Sequence, residues 1–341
     1  MASWRTIPKG RVLLAFAVAL AAAPGTWVRT TGGGPVDDRQ IIEVERLAVP
    51  DLNLGEGVEV AGAWHLTSPN DHFSGYSALL PMGDGTLLAL SDHGRQLRFA
   101  PPGAPPRTPS LGLFARLDDD DKRQLDLEAA TLDPATGTLW AAYEFANRIE
   151  RYDTDFVPAG SIRPMEMRGW PSNRGPEAMV RLGDGRFIVL AEGSPRWFAE
   201  EVPGLLFPGD PVRAARPERF RFRGPEDFVP VDMAQMPDGR VLILLRAVRW
   251  NLPPHFEGKL VVADPAEIAP GQPWPWREIA HLAEPLPMDN YEGLTVEPAG
   301  DGKLALWLIS DDNRSWFQRT LLLKLLWRPS EKAHGSSRAP R

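Results

Sequence analysis

The feature that most constrains this chain is a hairpin written five times. Its clearest copy begins at Glu128, runs through an apolar strand to Leu132, turns at Asp133-Pro134-Ala135-Thr136-Gly137, and returns through Leu139-Trp140-Ala141-Ala142-Tyr143 to Glu144. The pattern recurs from Ser77 to Asp92, from Glu177 to Glu192, from Asp232 to Arg246 and from Glu292 to Asp311. Copies starting at 77, 128, 177, 232 and 292 are spaced by 51, 49, 55 and 60 residues. A period near 50 built from strands rather than helices is that of a β-propeller blade. The expected fold class is therefore all-β, a single β-propeller of four-stranded blades, even though 341 residues would accommodate two average domains.

Segments between the hairpins supply third and fourth strands: Gln96 to Phe99 and Leu111 to Arg116, Arg148 to Tyr152 and Gly160 to Pro164, Lys259 to Ala263 and Arg277 to Leu282. Arg196 to Arg223 is longer and less regular, and reads either as extra strands or as a loop over one face. Ile41 to Val49 and Val58 to Leu66 have strand character and precede the first hairpin. Because a propeller closes by completing one terminal blade from the other terminus, they are expected to pair with Thr320 to Trp327.

At the N-terminus, Arg5, Lys9 and Arg11 precede a short apolar run from Val12 to Ala23, the pattern of a signal peptide over 1–23. A leader follows over 24–40, the propeller is expected over 41–328 and a disordered polar tail over 329–341. The protein is expected to be exported, periplasmic or secreted, monomeric, with no membrane contact beyond a signal peptide or retained anchor. A net charge of −7 offers no basic footprint for nucleic acid. With no cysteine, disulfides, thiol catalysis and Cys-ligated metals are excluded. The six histidines show no paired zinc spacing, and no G-x-S-x-G elbow or phosphate-binding Gly-loop occurs. Asp118 to Asp121 reads as a solvated acidic loop.

The turns Gly83-Asp84-Gly85, Gly183-Asp184-Gly185, Pro237-Asp238-Gly239 and Gly300-Asp301-Gly302 place glycine where a tight hairpin needs positive φ. Register then follows: Glu128 lies near Glu144, Glu177 near Glu192 and Glu292 near Asp311, each pair at the end away from its turn. Since the first strand of each blade is innermost, the repeat gathers these acids on one face, around the channel. Facing like charges require a cation. Two candidates remain open: nearby arginines, among them Arg95, Arg148, Arg174, Arg246 and Arg249, with Arg246 partnering Asp232; or a hard metal such as Ca²⁺.

Ser74-Gly75-Tyr76-Ser77-Ala78-Leu79, Ser91-Asp92-His93-Gly94, Leu127-Glu128-Ala129, Asn173-Arg174-Gly175-Pro176-Glu177-Ala178, Asp289-Asn290-Tyr291-Glu292-Gly293-Leu294 and Ser310-Asp311-Asp312-Asn313 occur in that order. As an ordered set, the chain resembles the phytase-like, or esterase-like, propeller family over about residues 60 to 327. The family pattern differs where this chain has His93 and Tyr76-Ser77. The resemblance implies six blades and a Ca²⁺-dependent phosphoester hydrolase in which metal-activated water attacks phosphorus. By the same resemblance Asp92, Glu128, Glu144, Glu177, Glu192, Glu292 and Asp311 are metal ligands, and Arg95, Arg148, Arg174 and Arg246 clamp phosphate oxygens. His93, Asn173, Asn290 and Asn313 fall in the same motifs as candidate substrate contacts. The alternative is a non-catalytic propeller that binds a ligand or a protein through this face.

Overall fold

A computed structural model describes residues 35–114, 125–193, 200–213, 216–251 and 254–330. The expected signal peptide, most of the leader, the Asp118 to Asp121 run and most of the polar tail lie outside these residues.

Twenty-one strands are present among the described residues, taken in chain order. β1 (Glu43–Leu47) and β2 (Val58–Thr67) come first. Blade one is β3 (Tyr76–Pro81), β4 (Leu87–Ser91), β5 (Arg95–Phe99) and β6 (Ser110–Leu113). Blade two is β7 (Leu127–Leu132), β8 (Leu139–Tyr143), β9 (Arg148–Tyr152) and β10 (Pro158–Ile162). Blade three is β11 (Pro176–Arg181), β12 (Phe187–Ala191), β13 (Val202–Phe207) and β14 (Glu218–Phe222). Blade four is β15 (Val229–Gln235), β16 (Val241–Arg249), β17 (His255–Ala263) and β18 (Arg277–Leu282). Blade five is β19 (Asn290–Gly300), β20 (Lys303–Asp311) and β21 (Thr320–Trp327), completed by β2 and then β1.

The N-terminal strands thus clasp the C-terminal blade, with β2 antiparallel to β21 from Val58 opposite Trp327 to Leu66 opposite Thr320. Consecutive innermost strands pack on one another, and β19 packs on β3, which closes the ring at five blades. Six blades were expected. Neither the N-terminal region nor the Arg196 to Arg223 stretch is free to form a sixth, because β1 and β2 complete blade five and that stretch supplies β13 and β14 of blade three.

Closure is visible in the core, which divides into five apolar wedges, one per blade-to-blade interface. In β8, Leu139, Ala141 and Tyr143 enter the wedge against blade one while Trp140 and Ala142 enter the wedge against blade three. In β16, Leu242 and Leu244 face blade five while Val241, Ile243 and Leu245 face blade three. Side chains alternate across a strand, so a strand sandwiched between two blades must be apolar at every position, which explains the unbroken hydrophobic runs. At about 1.5–3 kcal/mol for each large aliphatic side chain buried, these wedges dominate the stability.

The hairpin turns behave as their sequence requires. Gly185 sits at φ +91°, and Asp84, Asp184 and Asp238 each accept a hydrogen bond from the backbone N–H two residues on, at 3.1, 3.0 and 3.0 Å. Side chains also join one blade to the next at the innermost strands. Thr131 Oγ1 of β7 accepts from Arg181 N of β11 at 3.0 Å, and Asp232 Oδ2 of β15 accepts from Leu294 N of β19 at 2.6 Å.

Candidate functional site

Each innermost strand carries a β-bulge at the equivalent position against its partner: between Tyr76 and Ala78, Leu127 and Ala129, Pro176 and Ala178, Pro230 and Asp232, and Tyr291 and Gly293. The residues at the bulges are Ser77, Glu128, Glu177, Val231 and Glu292. A bulge re-aims the extra side chain. The second strands contribute Asp92, Glu144, Glu192 and Asp311 just beyond or at their ends, and Arg246 at the corresponding place in β16, which runs on to Arg249.

The carboxylates come together as the repeat predicted. Ligand oxygens of Glu144, Glu177 and Glu192 lie within 4.8 Å of one another, as do those of Asp126, Glu128 and Glu144, so Glu144 belongs to both groups. Glu144 accepts from Gly175 N at 3.1 Å and faces the carboxylates of Glu177 and Glu192. Carboxyl groups this close favour the protonated form of one of them.

Electrostatics agree with that crowding. Burial first, and then Glu128, Glu192 and Glu144, push Glu177 well above the usual carboxylate range. Burial followed by Glu292 and Asp92 does the same to Glu128, and burial with Glu292 and Asp92 to Asp311. Glu144 is pushed up to about 7, chiefly by burial, against the lowering effect of its hydrogen bonds. Glu292 is raised by burial but held back by Arg246 and Asn290. All seven predicted carboxylates thus share one electrostatic neighbourhood.

Both neutralising candidates find a place here. Arg246 takes the arginine role at blade four: Nη2 donates to Glu192 Oε1 at 2.7 Å, and Nη1 donates to Glu292 and to Asn290 Oδ1, the latter at 2.7 Å. Asn290 Nδ2 in turn donates to Glu292 Oε1 at 2.9 Å. Asp232, expected as the partner of Arg246, is not part of the ring. It follows the bulge in register with Ala78, Ala129, Ala178 and Gly293, and its oxygens accept from Leu294 N and Met233 N.

Among the remaining predicted residues, His93 Nδ1 hydrogen-bonds Asp92 Oδ1. Arg95 lies at the blade-one rim, donating to Asp71 O at 2.6 Å, with burial and neighbouring Arg314 lowering its proton affinity. Arg148 faces Glu150 at 3.3 Å and stacks over the Tyr143 ring at 4.6 Å. Arg174, Asn173 and Asn313 are exposed, and Asn313 N donates to Asp311 Oδ1 at 2.6 Å. Asp126 was missed by sequence reasoning. Its repeat equivalents, two residues before each bulge, are Gly75, Gly175, Val229 and Asn290, so the periodicity carried no signal for it.

The donor set suits a hard divalent cation, which takes oxygen ligands from carboxylates. Ser77 adds an independent sign: it is 1% exposed at the hub bulge, and its Oγ has no hydrogen-bond partner among the described residues.

The sequence matches the phytase-like family, described as esterase-like activity of phytase, over residues 71–314. The chain belongs to that family. The match runs from the loop before blade one to the end of the hub motifs in blade five, so every acid of the phytase-like hub lies inside it. No curated protein matches the chain significantly. Among solved structures it is similar to Kuenenia stuttgartiensis hydrazine synthase, with 13% identity over 72% of this chain and a TM-score of 0.38. The match spans 58% of that synthase chain. It is similar also to a chain of a nidogen/laminin complex, at 10% identity, 75% of this chain, 87% of that one and a TM-score of 0.38. Likeness this distant carries no function.

Proposed function

We propose that this phytase-like propeller is a Ca²⁺-dependent phosphoester hydrolase working at the hub face. The observation that supports it most is the pair of carboxylate triads sharing Glu144. Asp126, Glu128, Glu144, Glu177 and Glu192 would hold the metal. When bound, it supplies Lewis-acid stabilisation of the phosphoryl group and activation of water.

The protein's own groups set the conditions. A phosphoester is an anion, and a hub of ionised carboxylates repels it until cations neutralise them. Arg95, half-buried near Asp92 and Arg314, would orient the incoming anion through its guanidinium fork. Burial and neighbouring carboxylates raise Glu144 and Glu177 above the usual carboxylate range, so a bound cation would displace protons from them. Buried Tyr143, under the Arg148 guanidinium, packs the strand end that presents Glu144.

Export belongs to the same reading, supported by Arg5, Lys9 and Arg11 before the apolar run from Val12 to Ala23. Among the described residues no helix is long and apolar enough to cross a membrane. The N-terminal mass of the protein recovered from a native host reports whether cleavage occurs.

The direct experiment is turnover of a generic phosphomonoester by purified protein in Ca²⁺ and in chelator, with Glu177→Gln alongside. Ca²⁺-dependent product formation lost in Glu177→Gln is expected. Failure to turn over any phosphoester with any divalent metal would end the hydrolase reading, and ligand-induced stabilisation without product would favour the binding alternative.

A further inference from the structure

We infer that Arg246 is a built-in cation standing where the ring would otherwise take a metal, so that no divalent cation enters this hub between blades three and five. The inference rests on the metal reading of the hub and closes one sector of it.

Four blades present at least one carboxylate from the bulge or from the second-strand end, and blade four presents none. Its bulge residue is Val231, 2% exposed and packed in the apolar wedge against blade five. Its second-strand residue is Arg246. The guanidinium spans outward in both directions, to Glu192 of blade three at 2.7 Å and to Glu292 and Asn290 of blade five. Linking carboxylates of neighbouring blades through one central positive charge is what a bound cation does. Arg246 does it with fixed, directed donors and no open coordination positions.

The remaining carboxylates sort accordingly. Both groups whose oxygens converge within 4.8 Å draw only on Asp126, Glu128, Glu144, Glu177 and Glu192, all from blades two and three. Glu292, an acid of the same ring, belongs to neither group, and it accepts hydrogen bonds from Arg246 and Asn290. Glu192 is the boundary, belonging to a carboxylate triad on one side and to Arg246 on the other.

Removing the arginine charge should therefore uncover a further cation site made by Glu192, Glu292 and the Asn290 carbonyl. The test counts cations. Chelator-stripped protein is dialysed against Ca²⁺ and the bound metal measured, with Tb³⁺ luminescence as a second count and Tm recorded with and without Ca²⁺. Arg246→Met is expected to bind one cation more than wild type and to show a larger Ca²⁺-induced rise in Tm, while Arg246→Lys keeps the wild-type count. An unchanged or lower count in folded Arg246→Met overturns the inference and leaves the metal hub standing. A wild type that binds none while Arg246→Met binds one sinks the hub reading and supports the inference; none in either overturns both. Should Arg246→Met not fold, Glu292→Gln decides: wild-type stoichiometry is expected, because Arg246 already serves Glu292, and a lost cation overturns the inference.

Discussion

The crowding at Glu144 sets how the metal-free protein responds to pH. Glu144 is 8% exposed, and its carboxyl is raised from 4.5 to about 7, first by burial and further by Asp126 and Glu192. In the unfolded chain the same group ionises near 4.5. Below that pH both states hold the proton and Glu144 costs nothing. Between 4.5 and about 7 only the folded state holds it, so folding takes up a proton and stability falls as pH rises. The slope from this one group approaches about 1.4 kcal/mol per pH unit, and the accumulated loss by neutral pH is on the order of 3 kcal/mol. Glu128, Glu177, Glu292 and Asp311 shift in the same direction and steepen the fall. Urea denaturation in chelator at several pH values from 5 to 8, wild type against Glu144→Gln, measures it. Wild type should lose stability with pH and Glu144→Gln much less, while saturating Ca²⁺ should abolish the wild-type loss because ionised carboxylates become ligands. Metal-free wild-type stability that is level or rises over this range, or a Glu144→Gln slope equal to wild type, refutes the reasoning.

Other perturbations probe separate parts of the ring. Asp232→Ala removes the acceptor for Leu294 N and Met233 N at a site 2% exposed, and should cost about 2 kcal/mol or more in chemical denaturation without changing the cation count. Gly293→Ala would place a Cβ 3.0 Å from the backbone of Ala78 and Leu79, forcing blades five and one apart; a loss of about 1–3 kcal/mol and a lower Tm are expected. Arg95→Met should raise KM for a phosphoester at least tenfold, about 1.4 kcal/mol, with Ca²⁺ stoichiometry unchanged, whereas exposed Arg174→Met should have a smaller effect.

Much of this was legible because repetition and period report backbone geometry directly. Five Gly-containing hairpins located the blades, and continuous apolar runs such as Leu139 to Tyr143 showed strands buried on both faces. The clasp between Val58 to Leu66 and Thr320 to Trp327 followed from closure alone. The five hairpins equal the five blades; the sixth was expected from the family resemblance, and the strands that could have built it complete blades five and three instead. Arg246 was matched to Asp232 by nearness in one hairpin. At the hub, however, the end of one blade's second strand lies closer to the neighbouring blades, and its partners Glu192 and Glu292 are 54 and 46 residues away in the chain.

The one-residue error at blade four has the same root as the site itself. In a regular strand, successive side chains fall alternately into the two wedges flanking a blade. Leu127 enters the wedge against blade one, so Glu128 would next enter the wedge against blade three, among Met179 and Ala191. A carboxylate there would lose its hydration among apolar side chains, at a cost of several kcal/mol. The bulge takes Glu128 out of the alternation, and Ala129 occupies that wedge instead. In blades one, two, three and five the bulge residue is thereby released from the apolar wedges, and that is where their first strands carry an acid or a hydroxyl. Blade four keeps the bulge but places Val231 at it, and Val231 remains in the wedge. The acid one position later, Asp232, rejoins the alternation and is confined to joining blades. With no carboxylate of its own at the axis, blade four can send a guanidinium there, and the charge on the second strand reverses at the one blade whose first strand contributes no acid or hydroxyl.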